Sequence, residues 1–284
     1  MSKVISKLKI VLVIIIVLIV IFLSVSFIAK HIFDKKVEKE IEELLSKVKN
    51  EGEIVTEEDV FKLPQNVRDW IEYTGVIGKE KIVSAHVRQK AEMKLEEDKP
   101  WIPVEAEQYF TSDEPGFIWN AKIKFAPLFH ISGRDKYQNG KGNMLIKILS
   151  LLTIADSKGE EIDQGSLLRY LAESMWFPTA VLNEYIAWEE IDRYHAKATM
   201  TYGGISASGI YTFNDEGQVI SFEAKRYGEF NGEFSLETWL VSVGEYKEFN
   251  GVNIPSKGNV TWRLETGDFN WFNFELTDIE YNIN

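Results

Sequence analysis

The 284-residue chain contains no cysteine. That absence excludes disulfides, thiolate catalysis, cysteine zinc sites and attachment through a lipobox cysteine, and it leaves the redox compartment open. Only four histidines occur, His31, His86, His130 and His195. They lie far apart and outside any HExxH or HxH spacing, so no metal site is expected. No phosphate loop or dinucleotide fingerprint is present, and Gly204-Ile205-Ser206-Ala207-Ser208 lacks the second glycine of a nucleophile elbow. Nothing in the sequence asks for a cofactor. Positive charge is also scarce. The net charge of −12 becomes −15 for residues 30–284 once Lys3, Lys7 and Lys9 are set aside. Such a surface is expected to repel nucleic acid and anionic headgroups.

What is present begins with an apolar run. Ile10 to Ala29 is uncharged over 20 residues, 17 of them Ile, Leu, Val or Phe. As a helix it crosses a hydrocarbon core about 30 Å thick, and its insertion is favourable by roughly 5 to 10 kcal/mol. A basic tail over 1–9 followed by one transmembrane helix over 10–29 is the signal-anchor arrangement. It predicts a single-pass protein of the cell membrane with its domain outside the cytoplasm. A cleaved signal peptide is the alternative, with Ser24-Val25-Ser26 at cleavage-like spacing. Residues 30–55 read as a charged helical stalk with Val37, Ile41, Leu44 and Val48 in one stripe. The stripe suits either a weak homodimer through the stalk or packing on the domain.

The remainder, 56–284, opens with short helices. Thr56 and Asp59 have capping-box spacing; Leu63-Pro64 starts a helix carrying Val67, Trp70 and Ile71, which Gly75 closes. Trp70 is expected to be a packing anchor. From Ile82 the apolar period changes from 3.6 to 2, as in Phe117, Trp119, Ala121, Ile123 and Phe125 against Asn120, Lys122 and Lys124. Turn signals at Asn139-Gly140, Gly203-Gly204, Asp215-Glu216-Gly217, Asn231-Gly232, Asn250-Gly251 and Gly267-Asp268 punctuate the runs. The pattern predicts a mainly β (α+β) fold, a large curved antiparallel sheet or half-barrel of about eleven strands. These fall at 82–95, 101–110, 116–125, 130–138, 142–149, 188–202, 205–213, 218–228, 233–247, 252–264 and 268–281. One lid helix, 166–177, capped by Ser166, covers the dry face. Asp156, Glu160, Glu161 and Asp163 read as a solvated turn.

Inward positions mix rings (Tyr109, Phe117, Trp119, Tyr211, Phe213, Trp262) with small residues (Ala85, Ala91, Ala121, Ala196, Ala198, Ala207, Gly209). Either the lid fills the space the small residues leave, or a chamber for an apolar or lipid-like ligand remains. Its candidate ligand-binding residues are Tyr170, Trp176, Phe177, Trp119, Tyr211 and Phe213. Charged candidates for the rim, or for anion recognition, are Arg134, Arg169, Glu173 and Arg226. Arg169 and Glu173 lie four apart and pair on one helix face. A buried Glu173 would have a raised pKa and could serve a hydrolase as general acid, although no second carboxylate is apparent.

Gly133-Arg134-Asp135, Gly140-Lys141-Gly142, Leu168 to Glu173 with Trp176-Phe177-Pro178, Arg226-Tyr227, Ile254-Pro255, Trp262 and Gly267-Asp268-Phe269 resemble the motifs of an uncharacterised family of membrane-anchored proteins, over about 60–284. The resemblance implies no activity. The expected layout is also similar to that of periplasmic lipoprotein carriers, half-barrels that hold acyl chains, an analogy of fold. The expectation is thus a membrane-tethered domain that binds an apolar ligand. Its alternatives are a structural or partner-binding module of a cell-envelope complex, or a hydrolase using Glu173.

Overall fold

A computed structural model describes residues 2–126, 129–230 and 232–283. The apolar run and the first part of the stalk, to Leu45, are one helix, α1 (Ser2–Leu45), long and apolar enough over its first half to cross a membrane; residues 46–55, expected to continue the helical stalk, are not helical. Its second half lies against the sheet. Phe33, Val37 and Leu44 are buried with Ile118 and Leu145, and Ile41 packs beside them. The stripe considered as a dimer seam is therefore occupied by the chain's own strands.

Thr56 caps α2 (Glu57–Phe61) through a reciprocal box with Asp59, and α3 (Gln65–Thr74) ends at Gly75 with φ of 71°. Trp70 is fully buried and stacks on Tyr211 at 5.7 Å. It is the anchor its spacing suggested.

Thirteen antiparallel strands follow in one curled sheet. They are β1 (Ser84–Met93), β2 (Ile102–Thr111), β3 (Gly116–Ala126), β4 (Phe129–Gln138), β5 (Lys141–Ile148), β6 (Leu152–Ser157), β7 (Ile186–Asp192), β8 (His195–Tyr202), β9 (Ile205–Phe213), β10 (Val219–Phe230), β11 (Glu233–Phe249), β12 (Val252–Leu264) and β13 (Gly267–Tyr281). The order is β6-β5-β4-β3-β2-β1-β13-β12-β11-β10-β9-β8-β7: two meanders join where β13 lies beside β1, and β6 and β7, the two edges, are linked through the helical segment between them.

Two turns made of unexpected residues raise eleven strands to thirteen. Leu149 and Ser150 take φ of 52° and 59° between β5 and β6, a left-handed turn without glycine or asparagine. Asp192 splits 188–202 because its carboxylate accepts from the backbone N–H of Tyr194 at 2.8 Å and of His195 at 3.0 Å. The glycine turns at 139–140, 203–204 and 250–251 have the positive φ expected; Asn231 lies outside the described residues.

The lid differs more. Helix α4 (Glu160–Glu173) starts six residues before Ser166, which lies buried within it. Of the acids read as a solvated turn, Glu160, Glu161 and Asp163 are its first turn, where negative charge meets the positive end of the helix dipole, and Asp156 lies on β6. Asp163 also accepts from Gly142 N at 2.7 Å and Lys141 Nζ at 2.8 Å. A Cβ on Gly142 would sit 2.6 Å from the Ile162 carbonyl, so glycine there lets helix and strand touch. Short 3₁₀ turns at Ser174–Trp176 and Pro178–Leu182 complete the cover.

Tyr109 is a correction to the inward set. It faces outward toward α1, its ring stacked on His86 at 4.2 Å, while Phe110 points in and is fully buried. A shift of one residue reverses faces in a strand. At Gly209 the missing side chain makes room for the Phe222 ring, not for a ligand.

Candidate functional site

Helices α3 and α4 and the 3₁₀ turns fill one end of the curled sheet. Phe177, Tyr211, Phe213 and Tyr170 are buried there with Trp70, in the main core. Tyr170 donates its hydroxyl to the Thr111 carbonyl at 2.9 Å, and Tyr211 donates to the Leu171 carbonyl at 2.5 Å. Four of the six residues proposed to touch a ligand are thus packing residues at the closed end.

The other end is not filled. A trough of about 470 Å³ runs between α4 and strands β1, β3, β4, β5 and β10 to β13. Trp119, Trp176, Trp239, Trp262 and Trp271 line it, with Phe230, Phe272, Phe274, Met93, Met144 and Ile146. Of the sequence-based candidates only Trp119 and Trp176 are among these rings. Trp239, Trp271 and the phenylalanines were missed; their strands are long and bulged, with a register shift at Val260/Thr261, so simple alternation does not reveal their face.

Three of the four charged candidates, Arg169, Glu173 and Arg226, line the trough. Arg169 Nη1 donates to Asp135 Oδ2 at 2.8 Å and its Nε to Glu173 Oε1 at 2.9 Å. Gln108 Nε2 donates to the other Glu173 oxygen at 2.7 Å. The guanidinium lies 5.1 Å from the ring centres of both Phe117 and Trp119. Burial pulls the Arg169 pKa down, but Glu173 and Asp135 outweigh it and leave it raised. Burial lifts the Glu173 carboxyl above its ordinary value, against the pull of Arg169 and Gln108.

Arg226 has no carboxylate within ion-pair distance among the described residues. Its Nε donates to the Gly165 carbonyl at 3.0 Å, and its guanidinium lies over Trp239 at 4.8 Å and Trp262 at 5.7 Å. Burial lowers its pKa to about 10. The indole N–H groups of Trp176, Trp239 and Trp271 and the Gln89 Nε2 are also buried without a partner among the described residues. The trough wall is therefore rich in donors that the protein does not use.

Arg134 is separated from this group. Its side chain, 2 % exposed, turns to the outer face, where Nε meets Glu40 of α1 at 3.0 Å and Nη1 donates to the Asn143 carbonyl at 2.7 Å. No group of three or more potential metal ligands exists among the described residues.

Residues 53–274 match DUF6544, a family of unknown function. The chain belongs to that family. No curated protein matches the sequence. Among solved structures, the chain is similar to an outer-membrane lipoprotein-sorting protein domain from Vibrio parahaemolyticus, at 7 % identity and a TM-score of 0.40 over 71 % of this chain and 86 % of that one. A DUF1329 protein from Desulfovibrio piger gives 7 % and 0.42 over 77 % and 92 %, and a LolA-superfamily protein from Nitrosomonas europaea 9 % and 0.43 over 77 % and 93 %. The family match answers the resemblance to an uncharacterised family read in the sequence, and the curled thirteen-stranded antiparallel sheet is the half-barrel layout expected there.

Proposed function

We propose that this DUF6544 domain binds an amphipathic, acyl-type ligand in the trough, tethered to the cell membrane by α1 and held outside the cytoplasm. The unfilled apolar trough carries the reading. Its volume falls within the roughly 300 to 1,000 Å³ of small-molecule sites, and each methylene moved into it from water gains about 0.8 kcal/mol. Trp119 and Trp176 would contact the chain. The unpaired Arg226 supports an acidic or oxygen-rich headgroup, since a desolvated guanidinium is stabilised by an anionic partner.

Glu173 as a hydrolytic acid has less support, despite its raised pKa. Both its oxygens accept hydrogen bonds, and Asp135, the nearest carboxylate, shares the same arginine. The pair looks like a clamp holding α4 to β2 and β4.

The test uses native fluorescence of the full chain held in amphipol. Five of its eight tryptophans line the trough. Titration with dibromostearate is expected to quench more than half of the emission and to saturate near one equivalent. Weak quenching that rises linearly without saturating would overturn the reading.

A further inference from the structure

Beside α1 the fold leaves a group of apolar side chains uncovered. Leu151, Leu152 and Ile154 of the β5–β6 hairpin are 38 %, 64 % and 52 % exposed, and Phe125 and Phe129 flanking the β3–β4 connection are 58 % and 49 % exposed. One contact marks the height of the β5–β6 turn relative to the apolar run: Ser26 Oγ donates to the Leu149 carbonyl at 3.4 Å. Ser26 lies four residues before Lys30, the first charge after the run. At 1.5 Å per residue the β5–β6 tip thus sits about 6 Å inside that charge, a depth at which interfacial apolar groups lie in a bilayer.

Charge follows the same geometry. On a domain that is strongly acidic overall, Lys122, Ser132 and Lys147 stand side by side across β3, β4 and β5. Glu105, the acid opposite Lys122 on β2, is held by Lys124 at 2.5 Å, and Lys147 has no acid within ion-pair distance among the described residues. Lys30 and Lys122 also act on His130, whose pKa burial and these cations lower. The net negative charge of the domain leads to an expectation of repulsion from anionic headgroups; this basic strip just outside an apolar tip is a local exception that suits an anionic lipid surface.

The trough reaches this same end of the sheet. Leu95, Ile123 and Ile146 line it at the ends of β1, β3 and β5 nearest the tips, and Leu95 is 54 % exposed. Helix α1 then continues past that end from Ser26 toward Ser2, while its other half runs along the sheet to Leu44 beside Gly116.

We infer that the open end of the half-barrel is docked on the membrane, with the β5–β6 tip and the side chains of Phe125 and Phe129 inserted in the leaflet beside α1, so that the trough mouth faces lipid. The inference rests on α1 spanning the bilayer; it does not need the trough to be loaded. A docked mouth lets an acyl chain pass between leaflet and trough without crossing water.

The natural absence of cysteine makes the test direct. Single variants Leu152→Cys, Glu216→Cys at the closed end, and Val17→Cys in the apolar run are each labelled with an environment-sensitive fluorophore. The full chains are reconstituted in vesicles containing phosphatidylglycerol and lipids brominated near the glycerol end of the acyl chain. The expected result is at least twofold stronger lipid quenching at Leu152→Cys than at Glu216→Cys, with Val17→Cys shielded from aqueous iodide. Equal quenching at Leu152→Cys and Glu216→Cys, with Val17→Cys shielded, overturns the docking and leaves the span standing. Iodide access at Val17→Cys overturns the span and the docking with it.

Discussion

Arg169 on α4 donates to Asp135 on β4 and to Glu173 one helical turn away, so one guanidinium fastens the lid to the sheet and orients its own neighbour. Three charges of net −1 are buried there. The stacking of Arg169 between Phe117 and Trp119 places that fastening on the trough wall.

Removing the cation should be severe. Arg169→Met leaves Asp135 and Glu173 desolvated without a counter-charge, and breaking one side of a buried pair costs about 3 to 5 kcal/mol. Urea unfolding of the full chain should show that loss. A loss below 1 kcal/mol would mean that water already solvates the cluster.

The headgroup role of Arg226 separates from the acyl role of the trough. Arg226→Leu is expected to weaken dibromostearate about tenfold, and to leave its methyl ester within twofold of wild type, by tryptophan quenching. One such charge-assisted contact is about 1.5 to 3 kcal/mol. Equal weakening of acid and ester would mark Arg226 as a packing residue.

Filling the hollow should abolish binding with little effect on folding. A Cβ at Gly133 would meet Trp119 at 3.5 Å and Ala121 at 4.0 Å, ordinary contacts, and the backbone there needs no left-handed φ. Gly133→Leu therefore extends into the trough. Its expected signature is at least a tenfold loss of dibromostearate affinity with a thermal midpoint within a few degrees of wild type. Undiminished binding would place the ligand elsewhere.

Glu173 gives stability a pH dependence of defined sign. Its folded pKa lies above the ordinary 4.5, chiefly through burial. Between 4.5 and that raised value the native state holds a proton that the unfolded chain has released. Native stability due to this group therefore falls as pH rises through the window and is level above it. Glu173→Gln should flatten that segment in urea midpoints measured from pH 4.5 to 7. An unchanged slope would show that another group causes it.

The seam between α1 and the sheet has its own buried pair. Glu40→Ala should destabilise the domain, because Arg134 is 2 % exposed and loses its carboxylate partner. Hydrogen exchange along residues 33–45 should then quicken while the β10–β13 region stays protected. Uniform exchange across both regions would argue that the seam is coupled to global unfolding.

Much of this was legible along the chain. Twofold apolar alternation, glycine and asparagine turns, the capping box at Thr56 and the helical spacing of Trp70 are relations between near neighbours, so they set the mainly β class, most strand boundaries and the anchor in the core. The uncharged run 10–29 likewise carries its meaning in composition alone. The misses are turns built without glycine, at Leu149-Ser150 and at Asp192, and the start of α4, whose acidic first turn has the composition of a loop.

Only the tertiary structure decided which side chains share a cavity. Phe213 and Trp239 have the same kind of sequence surroundings, yet one is sealed beside Trp70 and the other lines the trough. That division depends on how far a thirteen-stranded sheet coils before its helices run out of length to cover it, a sum of small twists over the whole sheet. The same holds for charge. Arg134, Arg169 and Arg226 are alike in sequence, and only their partners, Glu40 for the first, Asp135 and Glu173 for the second, no carboxylate of the described chain for the third, make them a seam, a clamp and a ligand contact in waiting.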